Sequence, residues 1–190
     1  MGSDQHCLSS ARASAQDIGA LLEAVTDPEI PVVSIRELGI LRDVRVHDSG
    51  NIEVVITPTY SGCPAMGQIE DDVHAALRHL GQPVTVRRQL APAWTTDWMT
   101  LEARDKLRDY GIAPPQHLAA DHNVIQFATK RIASHAGNTP ANGTFSTNSV
   151  PCPRCSSIHT TETSHFASTA CKALYKCLDC REPFDYFKPY

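Results

Sequence analysis

The sequence lacks the signals that direct a chain into or onto a membrane. It contains no apolar run approaching the ~18 residues that a transmembrane helix needs. Residues 1–16 hold no apolar core of a secretory signal, and His6 stands where a myristoylation signal requires Ser or Thr. These absences predict a cytoplasmic protein with no membrane partner.

The sequence also lacks a large excess of either charge. Lys and Arg total 17 against 21 Asp and Glu, which gives a formal net charge of −4. Because nucleic-acid binding depends on clustered positive charge, this balance argues against a nucleic-acid partner. The length of 190 residues allows one medium domain or two small ones.

Regular hydrophobic periods dominate residues 14–115. A period near 3.6 predicts helices over residues 14–25, 65–80 and 103–110. A period of two predicts strands around residues 44–46, 52–56 and 84–90. The turn residues 48–51 predict a hairpin between the first two strands, and residues 34–39 predict one helical turn closed by Gly39. The order α-β-β-α-β-α indicates a small three-stranded α/β domain.

A change of composition follows this domain. Residues 116–149 are rich in Ser, Thr, Asn, Gly and Pro toward their end, which predicts a flexible linker. The linker would separate the domain at 14–115 from a C-terminal module at 150–190. The predicted fold class is therefore α+β, with the α/β domain followed by a zinc-ribbon-like β module.

The C-terminal module contains two Cys-x-x-Cys pairs. Cys152 and Cys155 form the first pair, and Cys177 and Cys180 form the second. Four thiolates suit the tetrahedral coordination that Zn²⁺ prefers, and a module this small needs such an ion to fold. The sequence thus predicts a structural zinc site. A rubredoxin-like iron site, a redox dithiol and four unligated thiols are the alternatives.

Three further residues in this module are open to two interpretations. Cys171 has a structural interpretation as a small buried residue. Its functional interpretation is a spare metal ligand or a transfer thiol. His159 and His165 are either surface residues or substitutes for a cysteine ligand, and the complete set of four cysteines favours the surface.

Cys63 stands apart from the other cysteines, in the loop before the second predicted helix. Pro64 suits the first helical position, which would leave Cys63 at the cap, where the helix dipole would lower the pKa of its thiol. A thiolate there would be a metal ligand or a nucleophile, whereas a packed, unreactive cysteine is the alternative. Asp27 and Glu29 are either neighbouring acids of such a site or helix caps.

Several motifs resemble known families. The segments 27–31, 37–39 and 57–63 resemble the small α/β family of iron–sulfur cluster assembly factors. The segments 92–99, 110–115, 152–155, 166–180 and 182–184 extend the likeness to a narrower family, the D components of the bacterial phenylacetyl-CoA 1,2-epoxidase system. The chain itself carries neither the repeated Glu-x-x-His pair of a di-iron oxygenase nor a Gly-rich dinucleotide fingerprint.

The resemblance implies an accessory or maturation factor in aerobic phenylacetate breakdown, a component of a multicomponent monooxygenase without independent enzymatic activity. It implies that Cys63 handles a transient iron or iron–sulfur cluster with Asp27 and Glu29 nearby, and that the four tail cysteines hold zinc. The implied partners are the oxygenase and reductase subunits of the epoxidase, and a homodimer stays open.

Three alternatives of other classes remain. The chain could be a structural subunit of the epoxidase complex, with Trp94 and Trp98 either as contact residues or as side chains that cover the core. It could be a zinc-ribbon nucleic-acid binder, although residues 150–190 are nearly neutral. It could also be a dithiol oxidoreductase, although two Cys-x-x-Cys pairs at this spacing usually close on an ion.

Overall fold

A computed structural model of the chain describes residues 13–116 and 149–190. Within these residues the α-helices are Ala15–Leu21 (α1), Met66–Leu77 (α2) and Leu101–Tyr110 (α3). We call residues 13–116 the first part of the chain and residues 149–190 the second part. The strands of the first part are Thr26–Asp27 (β1), Ile30–Ser34 (β2), Leu41–Val46 (β3), Ile52–Ile56 (β4), Val84–Arg88 (β5) and Ile112–Ala113 (β6). Those of the second part are Thr160–Ser164 (β7), Lys172–Cys177 (β8) and Pro183–Phe187 (β9). Cys7 and nearly all of the predicted linker lie outside the described residues.

The first helix begins where the sequence predicts. Ser14 is its N-cap and forms a capping box with Asp17, in which each side chain accepts a hydrogen bond from the other residue's main chain. Ile18 and Leu22 are fully buried, as expected for the apolar face of this helix. A single 3₁₀ turn, Leu22–Ala24, continues the helix toward β1.

The predicted three-stranded sheet is present, in the order β3-β4-β5. Strands β3 and β4 form the antiparallel hairpin around the turn at 48–51, and β4 pairs with β5 in parallel. Helix α2 connects the two parallel strands. Ile52, Val54 and Ile56 on β4 are fully buried, because β4 is the central strand of the sheet.

Three short strands of the first part, β1, β2 and β6, were not predicted. Strands β1 and β2 pair antiparallel as a separate two-stranded sheet, with Asp27 opposite Ile30. Residues 35–39 then form the expected turn, which ends at Gly39 with a φ of +72°. Ser34 and Glu37 close this turn, because the Glu37 carboxylate accepts a hydrogen bond of 2.8 Å from the Ser34 N–H.

The loop before α3 covers the core. Trp94 is 5% exposed, so the interpretation of Trp94 as an interface residue is wrong. Trp98 is half-buried and lies beneath the guanidinium of Arg42, which is 3.5 Å from the ring centroid. The buried Arg104 on α3 ties this loop to the end of the first part, since it donates hydrogen bonds to the carbonyl oxygens of Thr96 and Pro115.

A four-stranded sheet joins the two parts of the chain. Its order is β6-β9-β8-β7, so a strand that the sequence places in the first domain pairs in parallel with β9 near the C-terminal end. Phe187 and Cys171 of the second part are buried in the core cluster of the first part, whereas Phe184 and Tyr186 form a smaller cluster with Cys152 and Cys177. None of the described helices is long and apolar enough to span a membrane.

Candidate functional site

The four tail cysteines converge on one point. Their sulfur atoms all lie within 4.8 Å of one another. The Sγ atoms of Cys152 and Cys180 are 3.7 Å apart, and those of Cys155 and Cys177 are 3.6 Å apart. Four sulfurs each about 2.3 Å from a tetrahedral zinc ion would be about 3.8 Å from one another. The donor set and its spacing therefore fit Zn²⁺.

Two similar turns position the sulfurs. In the first turn, the Ser156 N–H donates to the carbonyl oxygen of Cys152, and in the second the Cys180 N–H points at the Cys177 sulfur at 3.5 Å. The residue after the second cysteine of each pair has a positive φ, +60° at Ser156 and +68° at Arg181. This left-handed residue turns the chain back sharply, so that both cysteines of a pair face the same side.

The main chain prepares one of the thiols for metal binding. Hydrogen bonds from the N–H groups of Cys180 and Asp179 lower the pKa of Cys177 to about 6. A thiolate is the form that binds a metal ion. Within the quartet the pKa values diverge, because burial and the neighbouring thiols raise the pKa of Cys180 to about 12.

The two histidines of this module lie outside the cysteine quartet. His159 is exposed and its Nδ1 lies 3.3 Å from a carboxylate oxygen of Asp179, and His165 is exposed and pairs with Glu162. Ser157 also bonds to the Asp179 carboxylate, so Asp179 links the two turns that carry the cysteines. The expectation that both histidines are surface residues agrees with this placement.

Cys63 lies in the loop between β4 and α2, but it is not the helix cap. Helix α2 begins at Met66 with Ala65 as its N-cap, so the predicted start at Pro64 is too early. The main-chain N–H of Cys63 donates a 3.1 Å hydrogen bond to the carbonyl oxygen of Tyr60, which closes the loop. The thiol is half-buried against the first core cluster.

The acidity of Cys63 is opposite to the prediction. Burial raises the pKa of Cys63, and a hydrogen bond from the Ala65 N–H offsets this only in part. The charges of Asp27 and Glu29 raise the pKa of Cys63 further. The predicted lowering is therefore wrong, because desolvation and neighbouring carboxylates outweigh the N-terminus of the helix.

The charges of Asp27 and Glu29 reach Cys63, since both raise the pKa of its thiol. The Asp27 carboxylate is buried and accepts hydrogen bonds from the N–H groups of Glu29, at 2.8 Å, and Ile30, at 3.1 Å. Burial raises the pKa of Asp27, while these two hydrogen bonds and the charge of Lys172 act in the opposite direction. Glu29 is half-buried. The turn between β1 and β2 thus supplies both acids.

Cys171 is buried in the same core cluster against which Cys63 packs, and the sequence did not indicate this. It is 6% exposed and packs in the first core cluster, apart from the quartet. Its Sγ lies 3.1 Å from the hydroxyl oxygen of Thr169. Burial raises the pKa of Cys171, and the charges of Glu29 and Asp27 add to that rise. The one available signal is that Cys171 is the tail cysteine outside the Cys-x-x-Cys pairs.

These donors are not assembled as a finished metal cage. Within residues 13–116 and 149–190, the quartet is the one group in which three or more Cys, His, Asp or Glu ligand atoms lie within 4.8 Å of one another. The neighbourhood of Cys63 offers soft and hard ligands that would have to draw together around an ion. Among the described residues, the quartet is thus preassembled for a metal ion and the surroundings of Cys63 are not.

Comparison with known families separates the two parts of the chain in the same way. Residues 15–87 match the family described as "Iron-sulfur cluster assembly protein". Residues 136–188 match the family described as "PaaD zinc beta ribbon domain". The first match contains Cys63, Asp27 and Glu29, and the second contains the quartet and Cys171.

Individual relatives cover the whole chain or its first half. The chain is 46% identical over 185 residues to an Escherichia coli (strain K12) protein named as the D component of a "Putative 1,2-phenylacetyl-CoA epoxidase", with 97% of this chain and 98% of that protein covered. It is 36% identical over 90 residues to a Porphyromonas gingivalis (strain ATCC BAA-308 / W83) protein named "Fe-S protein maturation auxiliary factor", with 46% of this chain and 85% of that protein covered. A crystal structure of a "Domain of Unknown Function DUF59" from Bacillus anthracis has a TM-score of 0.46 and 33% identity, with 49% of this chain and 90% of that chain covered.

Proposed function

Because this chain belongs to the family of D components of 1,2-phenylacetyl-CoA epoxidase, we propose that it is an accessory factor of such an epoxidase system. Its role is to assist assembly of the metal or iron–sulfur centre in the oxygenase or reductase partner. The epoxidation itself belongs to those partners. The observation that supports this role is the half-buried thiol of Cys63 beside Asp27 and Glu29, in the part of the chain that matches the iron–sulfur cluster assembly family.

The chemistry of Cys63 suits a cargo that is bound and then released. Its raised pKa keeps the thiol protonated at neutral pH, so a cation must displace a proton to bind. That competition weakens binding relative to a thiol that is already ionised. The quartet differs because its four sulfur atoms already lie within 4.8 Å of one another, so we assign permanent zinc to the quartet and transient metal to Cys63.

The zinc ion would have a structural role. Bound by Cys152, Cys155, Cys177 and Cys180, it would hold together two turns and three short strands whose own core is small. Its chemistry there is to neutralise and fix four thiolates, and none of the transfer steps passes through it.

Replacement of Cys63 tests this function. We expect Cys63→Ser, co-expressed with the oxygenase and reductase partners, to lower the iron bound by a partner and to lower epoxide formation at least 10-fold. Ser61→Ala, an exposed change in the same loop, is the matched control and should leave both unchanged. Both variants should retain one zinc per chain. Full partner iron and full activity in Cys63→Ser would overturn the proposal.

Two exposed side chains favour a second candidate, a structural subunit of the complex. Ile158 and Leu178 are 60% and 52% exposed and lie beside the cysteine turns, where they suit a protein interface. Under this alternative, Leu178→Asp would abolish co-purification with the partner, and Cys63→Ser would leave both the co-purification and the activity intact.

A further inference from the structure

A cavity of about 400 Å³ lies where the end of the first part meets the first cysteine turn. One wall is the face of α3 that carries Leu101, Arg104 and Arg108, which are three or four residues apart and therefore share one side of the helix. Prolines from both parts of the chain also line it, namely Pro114, Pro115, Pro151 and Pro153. We call this cavity the α3 pocket, and its size lies within the range of small-molecule sites.

Arg104 brings a buried positive charge to the α3 pocket. It is 8% exposed, and its guanidinium donates to the carbonyl oxygens of Pro115, at 2.6 Å, and Thr96, at 2.8 Å. These bonds use two of the five N–H donors of a guanidinium group. None of the ion pairs among the described residues includes Arg104. Because carbonyl oxygens carry only partial charges, a guanidinium buried in this way still gains from an anion.

Arg108 adds a second guanidinium to the same wall. Its Nη1 donates to a carboxylate oxygen of Asp105 at 2.8 Å, and both side chains are exposed. An exposed pair of this kind is weak, so Arg108 can exchange Asp105 for an incoming anion. Among the described residues, no Asp or Glu lines the α3 pocket. The charge that the pocket presents is therefore positive.

The remaining walls favour a compact, apolar ligand body. Proline has no N–H group, so the four prolines offer apolar surface without main-chain donors. The N–H groups of Cys152 and Ser156 are bonded within the cysteine turn, and the side-chain amide of Gln116 donates to the Ser149 carbonyl oxygen at 3.0 Å. A peptide that binds as an added strand needs main-chain donors and acceptors along its length. The described walls therefore favour a small molecule over a peptide strand.

We propose that the α3 pocket binds a small molecule that carries a carboxylate on an apolar body. Arg104 and Arg108 bind the carboxylate, because guanidinium groups offer paired N–H donors that match its two oxygens. Leu101, which is 75% exposed, and the prolines cover the apolar body. The ligand contacts both parts of the chain, and its binding needs neither Cys63 nor a metal cargo.

An NMR titration of the full, zinc-loaded chain tests the site. The probe is benzoate, with benzamide as an uncharged analogue of the same shape and acetate as a carboxylate without the apolar body. We expect benzoate to shift the main-chain amide signals of Leu101, Ala113 and Ser156 to saturation, and to bind at least 10-fold more tightly than either analogue. The Nε–H signal of Arg104 should shift as well, which tests this residue without removing its bonds to the main chain.

Variants on α3 separate a lost contact from a change in net charge. Arg108→Gln removes one guanidinium, and Leu101→Asp places a competing carboxylate at an exposed position, so each should weaken benzoate binding at least 10-fold. The matched control is Lys106→Gln, which removes a positive charge that pairs with Glu37 and lies outside the α3 pocket. It should retain the wild-type affinity.

Several results would overturn the proposal. One is the lack of a saturable shift at these amides up to the solubility limit of benzoate, and another is wild-type affinity in both Arg108→Gln and Leu101→Asp. Equal affinity for benzamide would show that the pocket binds the ring and not the carboxylate. If benzoate does not bind and Leu101→Asp instead abolishes co-purification with the oxygenase or reductase partner, the pocket is a docking surface for that partner and the small-molecule site is wrong.

Discussion

The indole N–H of Trp94 donates a 2.9 Å hydrogen bond to the carbonyl oxygen of Leu38. Both residues are buried, and they lie on the loop before α3 and the turn after β2. The Trp94 side chain therefore satisfies the Leu38 carbonyl oxygen, in a turn that lies 56 residues earlier in the sequence. The same indole ring faces Phe187 and Tyr190 of the second part, with ring centroids 5.9 and 6.2 Å away.

We expect Trp94→Phe to lower the free energy of unfolding by about 1–3 kcal/mol, because it leaves the Leu38 carbonyl buried without its donor. Urea unfolding measures the change. Trp98→Phe is the control, since that half-buried ring stacks beneath Arg42 through its face and should lose less than about 1 kcal/mol. Equal losses in the two variants would contradict the importance of the hydrogen bond.

Gly39 cannot accept a side chain. Its φ is +72°, and an added Cβ would lie 2.6 Å from Cβ of Trp98 and 2.8 Å from the Trp98 carbonyl oxygen. Gly81 has a similar φ of +63° but open space around it. We expect Gly81→Ala to cost about 1–2 kcal/mol for the left-handed backbone alone, and Gly39→Ala to cost about 1–3 kcal/mol more for the overlap. Thermal unfolding of both variants would reveal the difference, and similar values would disprove the steric argument.

These two tests concern contacts that the sequence could not show. The hairpin and α2 were predictable because their apolar periods are local and long. Strand β2 was missed because Pro31 interrupts a short apolar run whose strand character depends on pairing with β1. The Trp94 bond to Leu38 and the clash at Gly39 both depend on tertiary packing, which no local pattern encodes.

The candidate sites also differ in whether a local sequence pattern or tertiary packing determines their geometry. The quartet was predictable because the spacing of two Cys-x-x-Cys pairs encodes its geometry. The direction in which the pKa of Cys63 is shifted was not predictable, because the burial of its loop and the position of Asp27 depend on tertiary structure. The burial of Cys171 in the first core cluster was not predictable, because the four-stranded sheet, rather than the local sequence, places it there.

Removal of zinc should be visible at Trp94. Zinc binding contributes on the order of 10 kcal/mol to small ribbons of this kind, so chelation should unfold the sheet and withdraw Phe187 and Tyr190 from the indole. We expect the Trp94 fluorescence of a Trp98→Phe protein to shift to longer wavelength when zinc is chelated and to recover when zinc is restored. Cys155→Ser should show the shift without a chelator. Unchanged emission after complete zinc loss would contradict this coupling.

The ionisation of Asp27 should lower the stability of the protein. Burial raises the pKa of Asp27, so the folded state holds the proton more tightly than the unfolded state. The free energy of unfolding therefore falls as the pH rises from the ordinary pKa of the unfolded state through the higher pKa of the folded state. Asp27→Asn keeps the Oδ1 acceptor and removes the charge. We expect a higher Tm than wild type at pH 7.5 and an equal Tm near pH 3, where both side chains are neutral.

The exposed change Asp71→Asn is the control for this test and should leave the Tm nearly the same at both pH values. A lower Tm for Asp27→Asn at pH 7.5 would show that the charged carboxylate stabilises the fold, contrary to the argument.

Asp27 should also control the reactivity of Cys63. Burial first, and then the charges of Asp27 and Glu29, raise the pKa of Cys63, so its thiolate fraction is small at pH 8. We expect Asp27→Asn to increase the rate of iodoacetamide labelling at Cys63 several-fold at pH 8, as measured by peptide mapping. The rates should converge at high pH, where the thiol is ionised in both proteins. A slower rate in the variant would refute the charge effect.

The short strand β6 belongs to the four-stranded sheet and lies just before the connection that begins after residue 116. Residues 112–113 already lie against β9, so the connection from there to residue 150 begins and ends on one scaffold. The parallel pairing of β6 with β9 and the burial of Phe187 in the first core cluster should keep the two parts together through a sizing column, even after a protease cut between residues 116 and 149.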